Sequence, residues 1–225
     1  MKNRQAFIMA ACLALAAALP LASTAAGTKA PPDTPMAGER PFVTRATAEL
    51  QDLYGSTAKA KDAGYFRFNN EDRTGAISWV NLKYWKSDET HPSQLWYDVK
   101  GRLIGVDYAL PWTDKNHPPK VWGILPARWF EFPAHVHYAT KQSNGSLKYG
   151  GFESKDFKKL GGDPDDPTAA DVVKAHKASS ASQVAFVFPF RHVWDLEFWL
   201  VPNPSGVFAE KNPNVHPSHP NMSGM

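Results

Sequence analysis

Residues 184–201 read VAFVFPFRHVWDLEFWLV, which is two apolar runs separated by Arg191 and His192. The runs, 184–190 and 193–201, are rich in valine, phenylalanine and tryptophan, and these residue types favour β-strands. Both runs are apolar enough to lie in the interior of a sheet. We therefore predict two consecutive central strands in this region.

The alternation of side chains along a strand divides the second run into two faces. The apolar face carries Trp194, Leu196, Phe198 and Leu200. Asp195 and Glu197 lie on the opposite face together with Trp199. Carboxylates within an apolar strand cost free energy unless they are hydrogen-bonded, paired or bound to a ligand. This face is therefore a candidate for function.

Upstream, apolar runs alternate with polar turns, a pattern typical of antiparallel hairpins. Three hairpins are predicted, pairing 65–68 with 76–84, 95–99 with 102–110, and 134–141 with 146–152. In the second hairpin, Lys100 and Gly101 form the turn, because glycine readily adopts the positive φ that such turns need. The predicted register places Leu95 opposite Val106, Tyr97 opposite Ile104, and Trp96 over Gly105.

Helical patterns are few and short. Apolar residues recur at helical spacing from Ala46 to Thr57, a helical turn is predicted after Ser154, and Asp166 followed by Pro167 is a typical helix start. Adjacent hairpins with so few helices predict an α+β fold. We expect a single domain dominated by a curved antiparallel sheet or sandwich, with two or three short helices packed on it.

The first 26 residues have the pattern of a secretory signal peptide. Lys2 and Arg4 precede an apolar run over 6–22, and small residues follow at 23–26. We therefore expect a protein that is secreted or periplasmic, without a membrane span after cleavage. The single cysteine, Cys12, lies in this segment. The mature chain is thus expected to lack disulfides, thiolate chemistry and cysteine-bound zinc.

The remaining sequence divides by composition. Residues 27–41 contain four prolines among small and polar residues and are predicted to be a flexible linker. Residues 42–208 form the predicted globular domain. Residues 209–225 are rich in proline and histidine and are predicted to be a mobile tail.

Charge and motifs exclude several classes of function. The chain has 25 Lys plus Arg against 22 Asp plus Glu, a net charge of +3. This near-neutral balance argues against a nucleic-acid partner, which requires a concentrated basic face. The sequence has no phosphate-binding glycine loop, no dinucleotide fingerprint and no Gly-x-Ser-x-Gly motif, so these enzyme classes have no support.

The sequence PAHVHY at 133–138 contains the most specific local pattern. On a strand, His135 and His137 share one face, and their Cα atoms are about 7 Å apart. Two imidazoles in this arrangement can converge on a divalent transition metal, which is the cofactor that this pattern suggests. The alternative is a pair of surface histidines with hydrogen-bonding or stacking roles.

Asp195 and Glu197 can complete such a site. If their strand neighbours that of the two histidines, two imidazoles and a carboxylate form a facial metal site, with His192 as a further ligand. This arrangement would suit a metal-dependent hydrolase or an oxygenase-type enzyme.

Two other roles for Asp195 and Glu197 stay open. They could act as acid and base in sugar hydrolysis, with a separation in the inverting range. They could instead form ion pairs with cations of neighbouring strands, for which the candidates are Arg67, Lys83 and Arg128.

Aromatic residues suggest a binding function of another class. Exported β-domains can bind sugars by stacking aromatic rings on them in a cleft. The candidates are Trp96, Trp129, Trp199 and Tyr138, with Trp112 and Trp122 in addition. The alternative is that these rings fill the core of a fold without cysteines.

The C-terminal tail repeats potential metal ligands at His216, His219, Met222 and Met225. Imidazole and thioether donors together suit copper, especially Cu(I). The alternative is a solvated tail without a ligand.

The sequence thus favours an exported protein that binds a small molecule or divalent transition metal in an aromatic cleft with the His-x-His strand. A metal-dependent enzyme that uses His135, His137 and Asp195 or Glu197 is one alternative. A carbohydrate-binding or structural envelope protein without catalysis is the other.

Overall fold

The computed structural model describes residues 31–219, which form two antiparallel sheets and four short α-helices. The helices are α1 (Arg40–Tyr54), α2 (Thr57–Asp62), α3 (Ser154–Lys159) and α4 (Ala169–Lys174). The strands are β1 (Phe66–Arg67), β2 (Ile77–Val80), β3 (Gln94–Tyr97), β4 (Leu103–Pro111), β5 (Phe130–Phe132), β6 (His135–Lys141), β7 (Leu147–Glu153), β8 (Val184–Phe190) and β9 (Val193–Trp199). The predicted α+β class, dominated by antiparallel sheet, is confirmed.

The strands form a larger sheet in the order β1-β2-β3-β4-β9-β5 and a smaller one in the order β7-β6-β8. The prediction of two consecutive central strands is right for β9, which pairs with both β4 and β5. It is wrong for β8, which lies at the edge of the smaller sheet and pairs with β6. Pro189 in β8 has no backbone N–H to donate, and an edge position tolerates this loss.

The two sheets are joined where two paired strands turn a corner together. Strand β5 continues into β6 through residues 133–134, and β8 continues into β9 through residues 191–192. Phe132 pairs with Val193 on one side of this corner, and His135 pairs with Phe190 on the other. The smaller sheet is thereby turned over one face of the larger sheet. An aromatic cluster, which includes Phe68, Phe188 and Phe190, packs with Ala109 and Val193 between them.

The other face of the larger sheet packs against α1. Phe42 and Leu50 of α1 lie in one buried cluster with Tyr108 of β4 and with Leu196 and Phe198 of β9. This is the apolar face that alternation predicts for β9. Burial of each such side chain contributes about 1.5–3 kcal/mol. The larger sheet is therefore covered on both faces at its central strands β4 and β9, where Asp107 and Asp195 are buried.

The predicted 95–110 hairpin forms, with one change of register. Leu95 lies opposite Val106 and Trp96 opposite Gly105, as predicted, but a bulge beyond Trp96 places Tyr97 opposite Leu103 rather than Ile104. The predicted first helix also divides in two. α1 ends at Tyr54 and a second helix begins at Thr57, capped by the Ser56 hydroxyl, which accepts a hydrogen bond from the Lys59 N–H at 3.4 Å.

The predicted linker over 27–41 is wrong for its second half. α1 begins at Arg40, and the preceding Glu39 is fully buried. Glu39 accepts hydrogen bonds from the Met36 N–H (2.8 Å) and the Leu125 N–H (3.2 Å), and it pairs with Arg128 (3.1 Å). Burial raises the pKa of Glu39, but these hydrogen bonds and the Arg128 charge outweigh it and lower the pKa overall. Residues 36–41 therefore belong to the domain, while 27–30 lie outside the described residues.

The predicted tail over 209–225 also differs from the structure. Val215 is buried in a cluster with Trp199 and Ala76, and the Asn212 amide donates to the Pro202 carbonyl at 3.1 Å. The Ser218 N–H donates to Glu71 at 2.7 Å. Residues up to 218 thus lie against the domain, because apolar and polar groups in the tail find partners that its composition does not reveal. The last six residues, and the predicted signal peptide, lie outside the described part of the chain.

None of the helices within residues 31–219 has the length and apolar character needed to cross a membrane.

The buried Glu39–Arg128 pair gives the first prediction. Arg128→Ala leaves the Glu39 carboxylate buried without its cation, so the free energy of unfolding should fall by about 3–5 kcal/mol. The matched control is Arg45→Ala, which removes an exposed ion pair with Glu89 and should cost less than about 1 kcal/mol. Urea unfolding followed by tryptophan fluorescence measures both. Equal, small losses in the two variants would show that residues 36–39 are not held by this pair.

Candidate functional site

Three carboxylates converge on the face of the larger sheet that the smaller sheet covers. Asp107 lies on β4, and Asp195 and Glu197 lie on β9. The strand register places Asp107 directly opposite Glu197, and Asp195 opposite Ala109. One oxygen atom from each of the three side chains lies within 4.8 Å of the others. We refer to Asp107, Asp195 and Glu197 as the carboxylate triad.

The triad is short of hydrogen-bond donors. Asp107 is 3% exposed and Asp195 is 1% exposed. Neither carboxylate oxygen of Asp195 has a well-formed hydrogen bond, and Oδ1 of Asp107 also has none. The Trp96 side chain lowers the pKa of Asp107, against the larger effect of burial. Buried oxygen atoms without partners are rare in folded proteins and require an explanation.

The ring of Trp96 occupies the space above Gly105, where any other residue would have a side chain. Trp96 on β3 lies opposite Gly105 on β4, and a Cβ atom at position 105 would overlap the indole ring. The absence of a side chain at Gly105 therefore lets the indole lie flat on the sheet, two residues from Asp107 on the same face.

Burial and mutual repulsion disfavour negative charge in the triad. Burial, followed by the charges of Asp195 and Glu197, raises the pKa of Asp107 well above its usual range. Burial, followed by the Glu197 charge, does the same for Asp195, and the Leu196 backbone N–H opposes this only weakly. Burial, with a contribution from Asp72, raises the pKa of Glu197 to about 7. At neutral pH these groups must therefore retain protons or share a cation.

The cations that were predicted to pair with Asp195 and Glu197 do not do so. Arg128 pairs with Glu39, and Arg67 donates to the Asn69 carbonyl at 2.7 Å. Among the ion pairs of residues 31–219, none includes a member of the triad.

His135 and His137 project from the same face of β6, and their Nε2 atoms are 2.8 Å apart. The Nδ1 atom of His135 lies 2.9 Å from the Pro133 carbonyl oxygen. Because a carbonyl can only accept, Nδ1 of His135 carries the proton and its Nε2 carries a lone pair. The Nε2–H of His137 therefore donates to Nε2 of His135.

Phenylalanine rings enclose this histidine pair. His135 stacks on Phe190 with 4.4 Å between ring centroids, and His137 contacts Phe68 at 4.7 Å and Phe188 at 5.5 Å. Burial lowers the pKa of His135 to about 4. Burial, with the charge of His135, lowers the pKa of His137 well below its ordinary value. Both imidazoles are therefore neutral at physiological pH.

The histidine pair and the triad do not form the single metal site that the sequence predicted. Among the described residues, the only group of three or more possible ligands within such a distance consists of the three carboxylates. The phenylalanines that contact the imidazoles pack with Ala109 and Val193, each two residues from a triad aspartate. Phenyl rings therefore occupy the space where the histidines and carboxylates were expected to meet.

His192 is not a further ligand of either group. Its Nε2 lies 2.9 Å from a Glu131 oxygen, and its ring stacks on Trp112 at 4.6 Å. It sits at the corner between the sheets, where it is partly exposed.

The predicted aromatic cleft is not formed by its candidate residues. Trp129, Trp199 and Tyr138 are buried in apolar clusters, and Trp96 makes an edge contact with Trp199 at 5.5 Å. Trp112 and Trp122 are half-buried and stack on His192 and Phe42 respectively. The rings are occupied in packing because a chain of this composition uses them as core.

Two of the four predicted tail ligands lie within the described residues. His216 and His219 are exposed, and Met222 and Met225 lie outside the described residues. Copper binding by the tail therefore stays a prediction.

Asp107 is the site residue that sequence reasoning missed. Its strand was predicted, and alternation places it on the face of Gly105 and Ala109. A charged residue within the apolar run at 103–110 was therefore a usable signal. Its proximity to Glu197 depends on the pairing of β4 with β9, which no local pattern specifies.

Comparisons with protein-family models, with curated proteins and with solved structures give no match. The functional conclusion therefore rests on the geometry of the triad and the histidine pair.

The neutral histidines predict an acid-sensitive fold. Their pKa values in the folded protein lie below the value of about 6.5 for the unfolded chain, so only the unfolded chain gains protons as the pH falls. Their contribution to stability is complete above about pH 6.5 and is lost towards about pH 4. His137→Phe should make this loss shallower by about 1.4 kcal/mol per pH unit, the effect of one proton.

Chemical unfolding at several pH values between 4 and 7 tests this. The matched control is His219→Gln, because His219 is exposed and lies far along the chain from the histidine pair. This substitution should leave the pH profile of the parent unchanged. The effect of the triad is common to all three proteins and cancels in the comparison. Parallel profiles for parent and His137→Phe would contradict the neutral state of His137.

Proposed function

We propose that this protein binds a divalent cation that prefers oxygen ligands, such as Ca²⁺, Mg²⁺ or Mn²⁺, at Asp107, Asp195 and Glu197. The observation that carries the proposal is the Asp195 carboxylate, which is 1% exposed and has no well-formed hydrogen bond to either oxygen. A buried carboxylate in this condition costs several kcal/mol unless it is neutralised.

A cation accounts for the triad better than protons alone. Two protons shared among three carboxyl groups would relieve the repulsion, but they would leave acceptor atoms of Asp107 and Asp195 without donors. A bound cation uses those same oxygen atoms as ligands and neutralises most of their charge. The donors also come from two strands of one sheet, which hold them rigidly.

The donor set indicates the kind of ion. All three ligands are carboxylates, and hard cations such as Ca²⁺ and Mg²⁺ prefer oxygen donors, whereas zinc and copper favour nitrogen or sulfur. Opposite oxygens around one ion lie about 4.2 Å apart for Mg²⁺ and about 4.8 Å apart for Ca²⁺. The 4.8 Å limit on the triad oxygens is compatible with either ion.

Burial favours binding over catalysis. Asp107 and Asp195 are almost completely buried, and Glu197 is the member of the triad that is partly exposed, so a substrate could approach the ion from the side of Glu197 alone. A hydrolase that uses metal-activated water requires an open coordination position. The enzyme alternative is therefore less well supported. Sugar binding is also less well supported, because the candidate aromatic rings pack against other side chains of the protein.

Cation titration of the metal-free protein tests the proposal. At pH 8, where the triad is least protonated, a free cation concentration 100 times the Kd should raise the free energy of unfolding by about 2.7 kcal/mol. Asp195→Asn should abolish this response. The same substitution should stabilise the metal-free protein at this pH, because the amide cannot ionise beside Glu197 as the carboxyl group can.

The matched control is Asp114→Asn, since Asp114 is an exposed aspartate paired with His117. It should retain the full cation response, measured by thermal unfolding and by isothermal titration calorimetry. The proposal fails if Ca²⁺, Mg²⁺ and Mn²⁺ all leave the parent protein unchanged. It also fails if Asp195→Asn responds as strongly as the parent.

We also propose that the protein is exported, because residues 1–26 carry the signal-peptide pattern. Cleavage is expected after Ala25 or Ala26, so that the mature chain begins at Ala26 or Gly27. Mass spectrometry of the intact protein from the envelope or medium of a secreting host measures this. A full-length mass, with Met1 or Lys2 at the N-terminus, would contradict export by cleavage.

A further inference from the structure

The proposed cation site leaves the histidine pair without a role. His135 and His137 are adjacent to one another, neutral and enclosed by phenyl rings. A core position of this kind would ordinarily hold apolar side chains, because a buried imidazole must be hydrogen-bonded to avoid a desolvation cost. Two of them with converging Nε2 atoms indicate a ligand.

The hydrogen bond from His135 to Pro133 is the one that metal-binding histidines make. Such histidines usually donate the ring N–H that faces away from the metal to a carbonyl or carboxylate, which fixes the tautomer. In His135 the Nδ1–H donates to the Pro133 carbonyl at 2.9 Å. Its Nε2 lone pair is thereby directed at Nε2 of His137, 2.8 Å away.

The surroundings select a singly charged ion. No third histidine, aspartate, glutamate or cysteine of residues 31–219 joins the pair as a ligand. The desolvation cost of an ion rises with the square of its charge, so an apolar cage strongly disfavours a divalent ion with only two neutral donors. The negatively polarised ring faces of Phe188 and Phe190, on which the two imidazoles stack, attract a cation of low charge.

We propose that His135 and His137 bind one Cu(I) ion between their Nε2 atoms. Imidazole is a good ligand for copper, and Cu(I), with its filled d shell, is stable with two ligands. This site is separate from the carboxylate triad in ligands, in charge and in the metal it takes.

Binding requires only a small rearrangement. The Nε2 proton of His137 moves to its Nδ1, so no net proton is released. Two metal–nitrogen bonds of about 2 Å each require the Nε2 atoms to move apart by about 1 Å for a linear geometry. His137 is partly exposed. Its neighbour on β7 is Gly151, where even a Cβ atom would lie 3.7 Å from Nδ1, so this edge of the ring has space.

The experiment is Cu(I) binding by the mature chain without oxygen, in competition with a chromogenic Cu(I) chelator. To remove the tail ligands, the parent for the measurement is a variant with four substitutions: His216→Ala, His219→Ala, Met222→Ala and Met225→Ala. This parent should bind one equivalent. His137→Gln and His135→Gln in the same background should bind none. His192→Gln is the matched control and should retain the full equivalent.

X-ray absorption of the Cu(I)-loaded parent provides the second measurement. It should show two nitrogen neighbours with the scattering pattern of imidazole, and this readout needs no variant of the core to fold. Failure of the tail-free parent to bind Cu(I) would overturn the proposal. A shell of three or more donors, or unchanged binding by a folded His137→Gln variant, would do so as well. Asp195→Asn should leave copper binding intact, so the two proposals stand or fall independently.

Discussion

Strands β5 and β6 turn a corner beside β8 and β9, and both candidate sites depend on this shared bend. Because the pairing continues on each side, from Phe132 with Val193 to His135 with Phe190, the smaller sheet is turned over the larger. The bend directs the two imidazoles inward and also covers the face that carries the carboxylates. Burial on this face is the largest cause of the raised pKa values of Asp195 and Glu197.

The interior between the sheets combines two polar groups of opposite chemical character. The two histidines are hydrogen-bonded to each other, and His135 also donates to the Pro133 carbonyl. They can therefore remain neutral among phenyl rings. The triad has three acidic groups and too few donors, with Trp96 as the side chain that contacts Asp107. The aromatic cluster around Phe188 and Phe190 keeps the two groups apart and so preserves a different electrostatic environment for each.

Local sequence patterns were sufficient to predict which side chains share one face of a single strand. The period of two in β9 gave the correct faces for Leu196 and Asp195, and the same rule placed His135 and His137 side by side. Contacts between distant segments were not accessible in this way. Asp107 joins the triad only through the pairing of β4 with β9, and Glu39 is buried because Arg128, 89 residues away, provides its partner. Proline content suggested mobility at both ends of the domain, but composition does not report such partners.

The packing of Trp96 on Gly105 restricts the substitutions that this protein can accept during evolution. A side chain at position 105 would displace the indole, and with it the interaction by which Trp96 lowers the pKa of Asp107. We therefore expect the residues at positions 96 and 105 to change together, and the three carboxylates at positions 107, 195 and 197 to do the same. Distant relatives that have diverged beyond overall similarity should still be identifiable by the joint retention of these five positions.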